Sequence, residues 1–199
     1  MGSLTIGSTN SDITDLMPLT NITTIKDRLY ILDNIQLTTL NGLNNIEEIT
    51  DEGLLIRGNT NLSSLDGLTG LRHVGLDITI INNSNLNNLF GLQGLFQAQG
   101  EFYEIYLKDN IALESLNLQD VTSIIGLYIY NNDALTSLDT LENLIECLEL
   151  YINGNDLLND FCALQNLYNN VTFNADLNEM TDNLFNPSIQ DIIDGNCSQ

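Results

Sequence analysis

The sequence repeats one pattern of hydrophobic and polar positions about every 25 residues. Each copy reads apolar-x-apolar-x-x-Asn-x-x-apolar, so its first two apolar side chains alternate with variable ones. Six copies match this pattern, and they begin at Leu29, Leu54, Ile78, Ile105, Leu127 and Leu150. A looser copy with one extra residue runs from Leu4 to Ile13 and carries Asn10. Seven copies predict a solenoid, because so short a unit can bury its apolar side chains only by stacking on its neighbours.

Each copy begins with a predicted β-strand, because alternating apolar positions are typical of a strand with one buried face. The asparagine follows where the strand must turn. Its side chain can bond the backbone of the neighbouring copy. We therefore expect the stacked copies to form an asparagine ladder that satisfies buried turn groups.

After the asparagine, apolar residues recur at every third position, as in residues 37–49 and 62–74. A period of three is too short for a sustained α-helix and predicts extended or 3₁₀-like segments. Glycines stand at one equivalent place in three successive copies, namely Gly42, Gly67 and Gly91. We expect a bend there that tolerates no side chain.

These features resemble leucine-rich repeats over roughly residues 4–160. The irregular repeat lengths and the segment from Asp160 to Cys197 resemble receptor L-domain-like proteins of bacterial, flavobacterial-type cell surfaces. The resemblance implies an α/β solenoid, a right-handed coil with a parallel β-sheet on its concave face and 3₁₀ or irregular segments on its convex face. We expect about seven coils in residues 4–158 and a C-terminal capping segment in residues 159–199. The resemblance also implies adhesion or receptor function, without naming a ligand.

Composition narrows the classes of partner. The chain has 199 residues, with 27 acidic and 5 basic side chains and a formal net charge of −22. Nucleic acid and anionic membranes would be repelled on average, so we expect neither as a partner. No apolar run is long enough to predict membrane insertion. The start Met1-Gly2-Ser3 reads as a cloning scar, without a signal peptide, so we expect the chain to be a piece of a larger protein. We also expect this domain to be monomeric.

The chain has three cysteines, at positions 147, 162 and 197. Cys162 and Cys197 flank the non-repeating C-terminal segment, and we predict a disulfide between them that closes the cap, with Cys147 buried and free. Such a bridge fits an oxidising compartment outside the cytoplasm, whereas three buried thiols in a reducing cell are the alternative. Together with the resemblance, the bridge predicts a secreted or cell-surface location.

The variable strand positions point outward from the sheet and are the candidates for ligand binding. Five of the seven tyrosines fall on these positions, together with Arg28. The predicted ligand-binding residues are Tyr30, Arg57, Tyr106, Lys108, Tyr128, Tyr130 and Tyr151. Tyr106, Tyr128 and Tyr151 share one row in consecutive copies, which predicts a continuous aromatic strip because neighbouring strands lie about 4.7–4.9 Å apart.

A simpler interpretation of this face remains open. Tyrosine favours strands whatever their function, since cross-strand aromatic pairs stabilise sheets. The basic residues could likewise do no more than offset nearby carboxylates on the same face, which are Asp77, Glu104 and Glu149.

Enzymatic chemistry finds little support in the sequence. His73 is the sole histidine, so a nucleophilic triad has one possible base. There is no H-E-x-x-H, no C-x-x-C, no phosphate-binding glycine loop and no calcium loop of the EF-hand type. We predict no catalysis, no cofactor and no metal. The leading prediction is a binding module that recognises a cell-surface protein or polysaccharide through the sheet face, and the alternative is a structural spacer or stalk without a specific ligand.

Overall fold

The computed structural model describes residues 2–9, 11–97, 104–170 and 177–199. Within these ranges the chain is an α/β fold with an eight-stranded and a three-stranded parallel sheet. The strands are β1 (Leu4–Ile6), β2 (Thr24–Ile25), β3 (Leu29–Leu32), β4 (Glu48–Ile49), β5 (Leu54–Arg57), β6 (His73–Val74), β7 (Ile78–Ile81), β8 (Glu104–Lys108), β9 (Ser123–Tyr130), β10 (Glu146–Asn153) and β11 (Asn178–Thr181). The α-helices are α1 (Gln93–Gln97), α2 (Gln165–Tyr168) and α3 (Ile189–Ile193). The 3₁₀ helices are η1 (Met17–Leu19), η2 (Asp66–Leu68), η3 (Phe90–Leu92), η4 (Asp139–Leu141) and η5 (Cys162–Leu164).

The large sheet follows the order of the repeats along the chain, β1-β3-β5-β7-β8-β9-β10-β11. Each neighbouring pair is parallel, and the register aligns equivalent residues, such as Leu29 with Leu54 and Leu54 with Ile78. Each repeat therefore adds one strand to the growing edge of the sheet, and the predicted parallel sheet is confirmed. No helix in the described ranges is long and apolar enough to cross a bilayer.

The apolar positions of the pattern form the core. The strand residues Leu29 and Ile31 are fully buried, and so is every third residue of the runs 37–49 and 62–74. The 3₁₀ helices lie in the segments that connect the strands, as the period of three predicts. The short α-helices are not predicted by that period.

The small sheet joins β2, β4 and β6 and is not predicted by the sequence pattern. Its buried residues are Ile25, Ile49 and Val74, β-branched side chains that suit a strand. Four or five positions separate each of these from the next strand of the large sheet. In a later repeat the corresponding residue, Ile124, precedes Leu127 by only three positions, which leaves no room for a turn between two strands. The single eight-residue strand β9 therefore contains both residues.

Among the residues that the structure describes, seven buried asparagines form the predicted ladder: Asn34, Asn59, Asn83, Asn110, Asn132, Asn155 and Asn183. The Nδ2 of Asn83 donates to the Ile56 carbonyl of the preceding repeat at 3.0 Å, and its Oδ1 accepts the Asn59 backbone N–H at 3.1 Å. The same two bonds recur at each later member. Asn10, the predicted first member, lies outside the described residues, and the Ser11 hydroxyl donates to Asn34 Oδ1 at 2.6 Å.

The residue before each ladder asparagine adopts the left-handed conformation. These residues have φ between 53° and 71° and are Asp33, Gly58, Asn82, Asp109, Asn131, Gly154 and Asp182. Aspartate, asparagine and glycine are the residue types that tolerate this conformation best. They turn the chain out of the strand and direct each ladder side chain inward.

The three equivalent glycines lie in turns or 3₁₀ helices that pack closely against the preceding repeat. A Cβ at Gly67 would collide with the Leu40 carbonyl oxygen of the preceding repeat, and a Cβ at Gly91 would collide with that of Leu65. Of these glycines, Gly42 alone has a positive φ, of 114°. A side chain is excluded because the neighbouring backbone occupies its place.

Residues 159–199 contain an eighth strand before the chain closes. β11 pairs with β10 in the common register, and Met180 lies opposite Ile152. Asn183 joins the ladder, and the Oδ1 of Asn186 accepts from the backbone N–H and Nδ2 of Asn183 at 3.0 and 3.1 Å. Asn186 thus supplies locally the acceptor that a further repeat would provide.

The C-terminal segment is fastened by an aromatic pair and a disulfide. Phe161 is fully buried, and its ring centroid is 6.4 Å from that of Phe185. Cys162 and Cys197 form a disulfide, which joins the start of this segment to its end. Cys147 is a free thiol in the buried part of β10. The disulfide is compatible with a location outside the cytoplasm.

Candidate functional site

The outward side of the large sheet carries four tyrosines in contact, here called the tyrosine cluster. Tyr106, Tyr128 and Tyr151 occupy one register position in β8, β9 and β10. The ring centroids of Tyr106 and Tyr128 are 5.7 Å apart, and those of Tyr128 and Tyr151 are 5.6 Å apart with the rings stacked. Tyr130 in β9 brings its ring centroid to 5.5 Å from that of Tyr106. Strand register therefore assembles four of the five predicted tyrosines.

One end of the tyrosine cluster is acidic. The Tyr128 hydroxyl donates to Glu149 Oε2 at 2.5 Å, and its ring covers Gly126, where a Cβ would lie 2.6 Å from a ring carbon. Burial and then the bond to Glu149 raise the pKa of Tyr128. Burial also raises the pKa of Glu104, with the charges of Asp77 and Glu149 adding to it. The chain itself holds Tyr128 in place, and this end would repel an anionic ligand.

The other end of the tyrosine cluster opens into a pocket of about 220 Å³, here called the Lys108 pocket. Its lining consists of Tyr106, Lys108, Tyr130, Asn131, Asn153, Gly154 and Asp182. The side chain of Lys108 is half-buried, and its ammonium forms no ion pair or hydrogen bond with any residue that the structure describes. An unpaired ammonium therefore lies beside phenol and amide groups, an arrangement that suits an oxygen-rich ligand group.

The hydroxyl of Tyr130 is also unused within the described ranges, in contrast to that of Tyr128. Burial raises the pKa of Tyr130, and the neighbouring Tyr106, Glu179 and Tyr151 add to this effect. Tyr130 consequently stays protonated near neutral pH and can donate a hydrogen bond into the Lys108 pocket.

The predicted residue Arg57 and the nearby Arg28 both pair with carboxylates on neighbouring repeats. Arg28 lies 3.3 Å from Glu52, and its guanidinium stands 5.1 Å from the ring centroid of Tyr30. Arg57 lies 3.4 Å from Asp33. Both arginines therefore offset carboxylates, as the simpler interpretation expects, but their partners are Glu52 and Asp33 rather than Asp77, Glu104 and Glu149.

Tyr30 and Arg57 stand apart from the tyrosine cluster. Two strands, β5 and β7, separate Tyr30 from Tyr106, and they present Leu55 and Thr79 in that row. Arg57 and Lys108 share a row, but Ile81 of β7 lies between them. The predicted site thus divides into a compact half around Lys108 and two isolated residues.

Four pocket residues escaped the sequence prediction. Asn153 ends β10, and Asn131, Gly154 and Asp182 each precede a ladder asparagine. The recurrence of aspartate, asparagine or glycine before every ladder asparagine was the available signal. It places these residues at the end of each strand, where side chains of adjacent repeats meet.

The residues considered for catalysis and metal binding are not brought together. His73 lies in the small sheet, in register with Glu48. Across the described ranges, no three histidine, cysteine, aspartate or glutamate side chains are grouped so that they could hold a metal ion. Burial raises the pKa of the Cys147 thiol to about 12, which leaves it a poor nucleophile.

Comparison with known proteins adds no assignment to this site. No protein-family model matches the sequence, and no curated protein matches it.

Proposed function

We propose that the chain is a leucine-rich-repeat solenoid that acts as a non-catalytic binding module outside the cytoplasm, with the sheet face recognising a protein or glycan. The in-register parallel strands, the asparagine ladder and the close packing at the glycines support the solenoid. The disulfide supports the location. A stack of repeats offers a long face on which several neighbouring strands can contact one partner.

The Lys108 pocket is the observation that carries the binding proposal. The chain has only five basic residues against 27 acidic ones, so an unpaired lysine could easily find a carboxylate. Lys108 instead remains half-buried beside Tyr106 and Tyr130. The ammonium of Lys108 gains no ion pair or hydrogen bond from the described residues, whereas it would form a charge-assisted hydrogen bond with a ligand oxygen.

The size of the pocket limits what enters it. A volume of about 220 Å³ accommodates one sugar ring or one side chain rather than a whole small-molecule ligand, for which about 300–1,000 Å³ is usual. The remainder of the partner would lie along the tyrosine cluster, where tyrosine rings give contact area at low entropic cost.

The alternative, a structural spacer, is favoured by a different observation. The stacked rings of Tyr128 and Tyr151 and the Tyr128–Glu149 hydrogen bond stabilise the sheet without any ligand. Substitutions of these residues would therefore confound stability with binding. The test needs residues whose polar atoms the fold leaves unused.

Two substitutions meet this requirement. Lys108→Met removes the ammonium, and Tyr130→Phe removes one hydroxyl while it keeps the ring. Lys26→Met, at an exposed position outside the pocket, and Tyr30→Phe, on a distant strand, are the matched controls. The proteins are screened on an array of glycans that includes acidic and marine-type polysaccharides, and by capture from cell-surface extracts.

We expect a captured glycan or protein to bind the Lys108→Met variant about 10- to 100-fold more weakly, since a hydrogen bond to a charged group contributes about 1.5–3 kcal/mol. Tyr130→Phe should weaken binding less, and both controls should leave it unchanged. Equal affinity of all four variants for a demonstrated partner would remove the sheet-face site. The complete absence of a partner would favour the spacer.

A further inference from the structure

A second depression crosses three successive repeats and uses none of the residues of the Lys108 pocket. It has a volume of about 620 Å³ and contains Phe90, the carboxylates of Asp66 and Glu114, and hydroxyl and amide side chains that include Ser115 and Asn117. We call it the Phe90 groove. Its volume falls within the range usual for sites that bind small molecules or short chains.

Phe90 stands where the neighbouring repeats place polar side chains and where the first repeat places the exposed Met17. It follows the buried Leu89 and precedes Gly91, and 49% of its surface is exposed. The residues that follow the equivalent buried leucine in the neighbouring repeats are Asn41, Asp66, Asn117 and Asp139. The fold therefore does not need an aromatic ring at this position, and Phe90 is the one phenylalanine among the exposed large hydrophobic side chains of the described residues.

The groove is open because the next repeat is short. Only 22 residues separate Asn110 from Asn132, compared with 27 between Asn83 and Asn110. The short repeat contains no 3₁₀ helix between β8 and β9, whereas η3 of the preceding repeat begins at Phe90. One side of the ring consequently faces the groove instead of a neighbouring helix.

In the short repeat, Asn117 takes the place next to Phe90. It has a positive φ of 53°, and its Oδ1 accepts the Leu89 backbone N–H at 3.1 Å. The amide nitrogen of Asn117 and the hydroxyl of Ser115 have no hydrogen-bond partner among the described residues. These two groups remain available to a ligand beside an exposed ring.

The unpaired carboxylates do not by themselves identify a ligand. With 27 acidic and 5 basic residues, this chain has too few cations to pair with most of its carboxylates, so carboxylates without an ion pair, such as Asp66 and Glu114, are ordinary here. The unusual combination is an exposed aromatic ring with unused hydroxyl and amide groups around it. A sugar ring has the complementary surface, an apolar C–H face edged by hydroxyl groups.

We propose that the Phe90 groove binds a neutral carbohydrate chain, with one sugar ring against Phe90 and its hydroxyl groups bonded by Asn117, Ser115 and the two carboxylates. Asp66 and Glu114 accept hydrogen bonds from sugar hydroxyls and repel anionic sugars, which makes the groove selective for neutral chains. This inference does not depend on the sheet-face site, because the two sites share no residue.

The test titrates the whole chain with neutral hexasaccharides of glucose, mannose and xylose in different linkages, and with an oligogalacturonate and hexalysine as comparison probes. Phe90→Ala removes the ring, and Phe90→Trp retains an aromatic surface. Leu157→Ala is the matched control, since Leu157 is equally exposed, at 51%, but lies outside the groove. Circular dichroism verifies that each variant is folded.

We expect at least one neutral hexasaccharide to bind, with an affinity about tenfold or more weaker in Phe90→Ala, retained in Phe90→Trp and unchanged in Leu157→Ala and Lys108→Met. Binding of no neutral probe, or equal binding by Phe90→Ala, overturns the proposal. Binding of hexalysine alone, weakened in Phe90→Ala, would assign the groove to basic peptides and overturn the proposal. Loss of binding in Lys108→Met with retention in Phe90→Ala would place the sugar on the sheet face and likewise overturn it.

Discussion

Replacing Asn83 by alanine should destabilise the fold more than any change to an exposed asparagine. Asn83 is fully buried in the middle of the ladder. Its loss leaves two buried backbone groups without their partners, the Asn59 N–H and the Ile56 carbonyl. Each unsatisfied group costs about 1–3 kcal/mol, so the free energy of unfolding should fall by about 2–6 kcal/mol.

Asn85→Ala is the control within the same repeat. Asn85 is exposed, and its amide reaches only the Asn61 side chain at 3.4 Å, so we expect a change within about 0.5 kcal/mol. Urea unfolding followed by far-UV circular dichroism measures both variants. A destabilisation of Asn83→Ala no greater than that of the control would refute the reasoning that the ladder satisfies otherwise unpaired backbone.

Three further predictions concern cysteine and tyrosine chemistry. Removing the bridge in the Cys162→Ala/Cys197→Ala variant should lower the free energy of unfolding by about 4 kcal/mol, given the 35-residue separation, and a loss below about 1 kcal/mol would contradict this. Burial raises the pKa of Cys147 to about 12, so Ellman's reagent at pH 8 should detect one thiol per chain only after denaturation; rapid native reaction would count against it. Burial also raises the pKa of Tyr128 and Tyr168 in the folded chain. The stability that these two protonated tyrosines contribute should be complete below pH about 10. It should be lost as the pH rises further, because the tyrosines of the unfolded chain deprotonate first. If the free energy of unfolding of Tyr128→Phe falls with pH as steeply as that of the original chain, this assignment is contradicted.

The sequence was sufficient to predict the repeats, the parallel sheet and the buried asparagines. Each of these depends on contacts between a repeat and its immediate neighbours, so the same residue types recur at the same offsets. The ladder position of Asn83 could be predicted from the spacing alone. Its role is the same in every repeat.

The eighth strand could not be predicted in this way. In the copy that contains β11, Asn178 occupies the first apolar position and Asn186 the last, so only Met180 keeps the apolar pattern. Because β11 is the last strand of the sheet, no further repeat packs against its free edge, and this copy needs fewer apolar side chains. Asn183, 28 residues after Asn155, was the remaining signal.

The tyrosine contacts were predictable, whereas the ion pairs were not. Parallel register fixes which residues share a row, and this was enough to bring Tyr106, Tyr128 and Tyr151 together. The ion pair of Arg57 with Asp33 joins a strand residue to the left-handed residue of the preceding repeat. Such diagonal pairs depend on the turn conformation, which the apolar pattern does not specify.

The most direct test of the sheet-face proposal is amide hydrogen exchange of the chain with and without a partner captured by the screen. The account predicts slower exchange on binding at the ends of β8, β9 and β10, from Tyr106 to Asp109, Tyr130 to Asn131 and Asn153 to Gly154. Exchange in the small sheet, at His73 and Val74, should not change. Protection confined to the small sheet, or to segments away from the Lys108 pocket, would contradict the claim that the tyrosine face is the recognition surface.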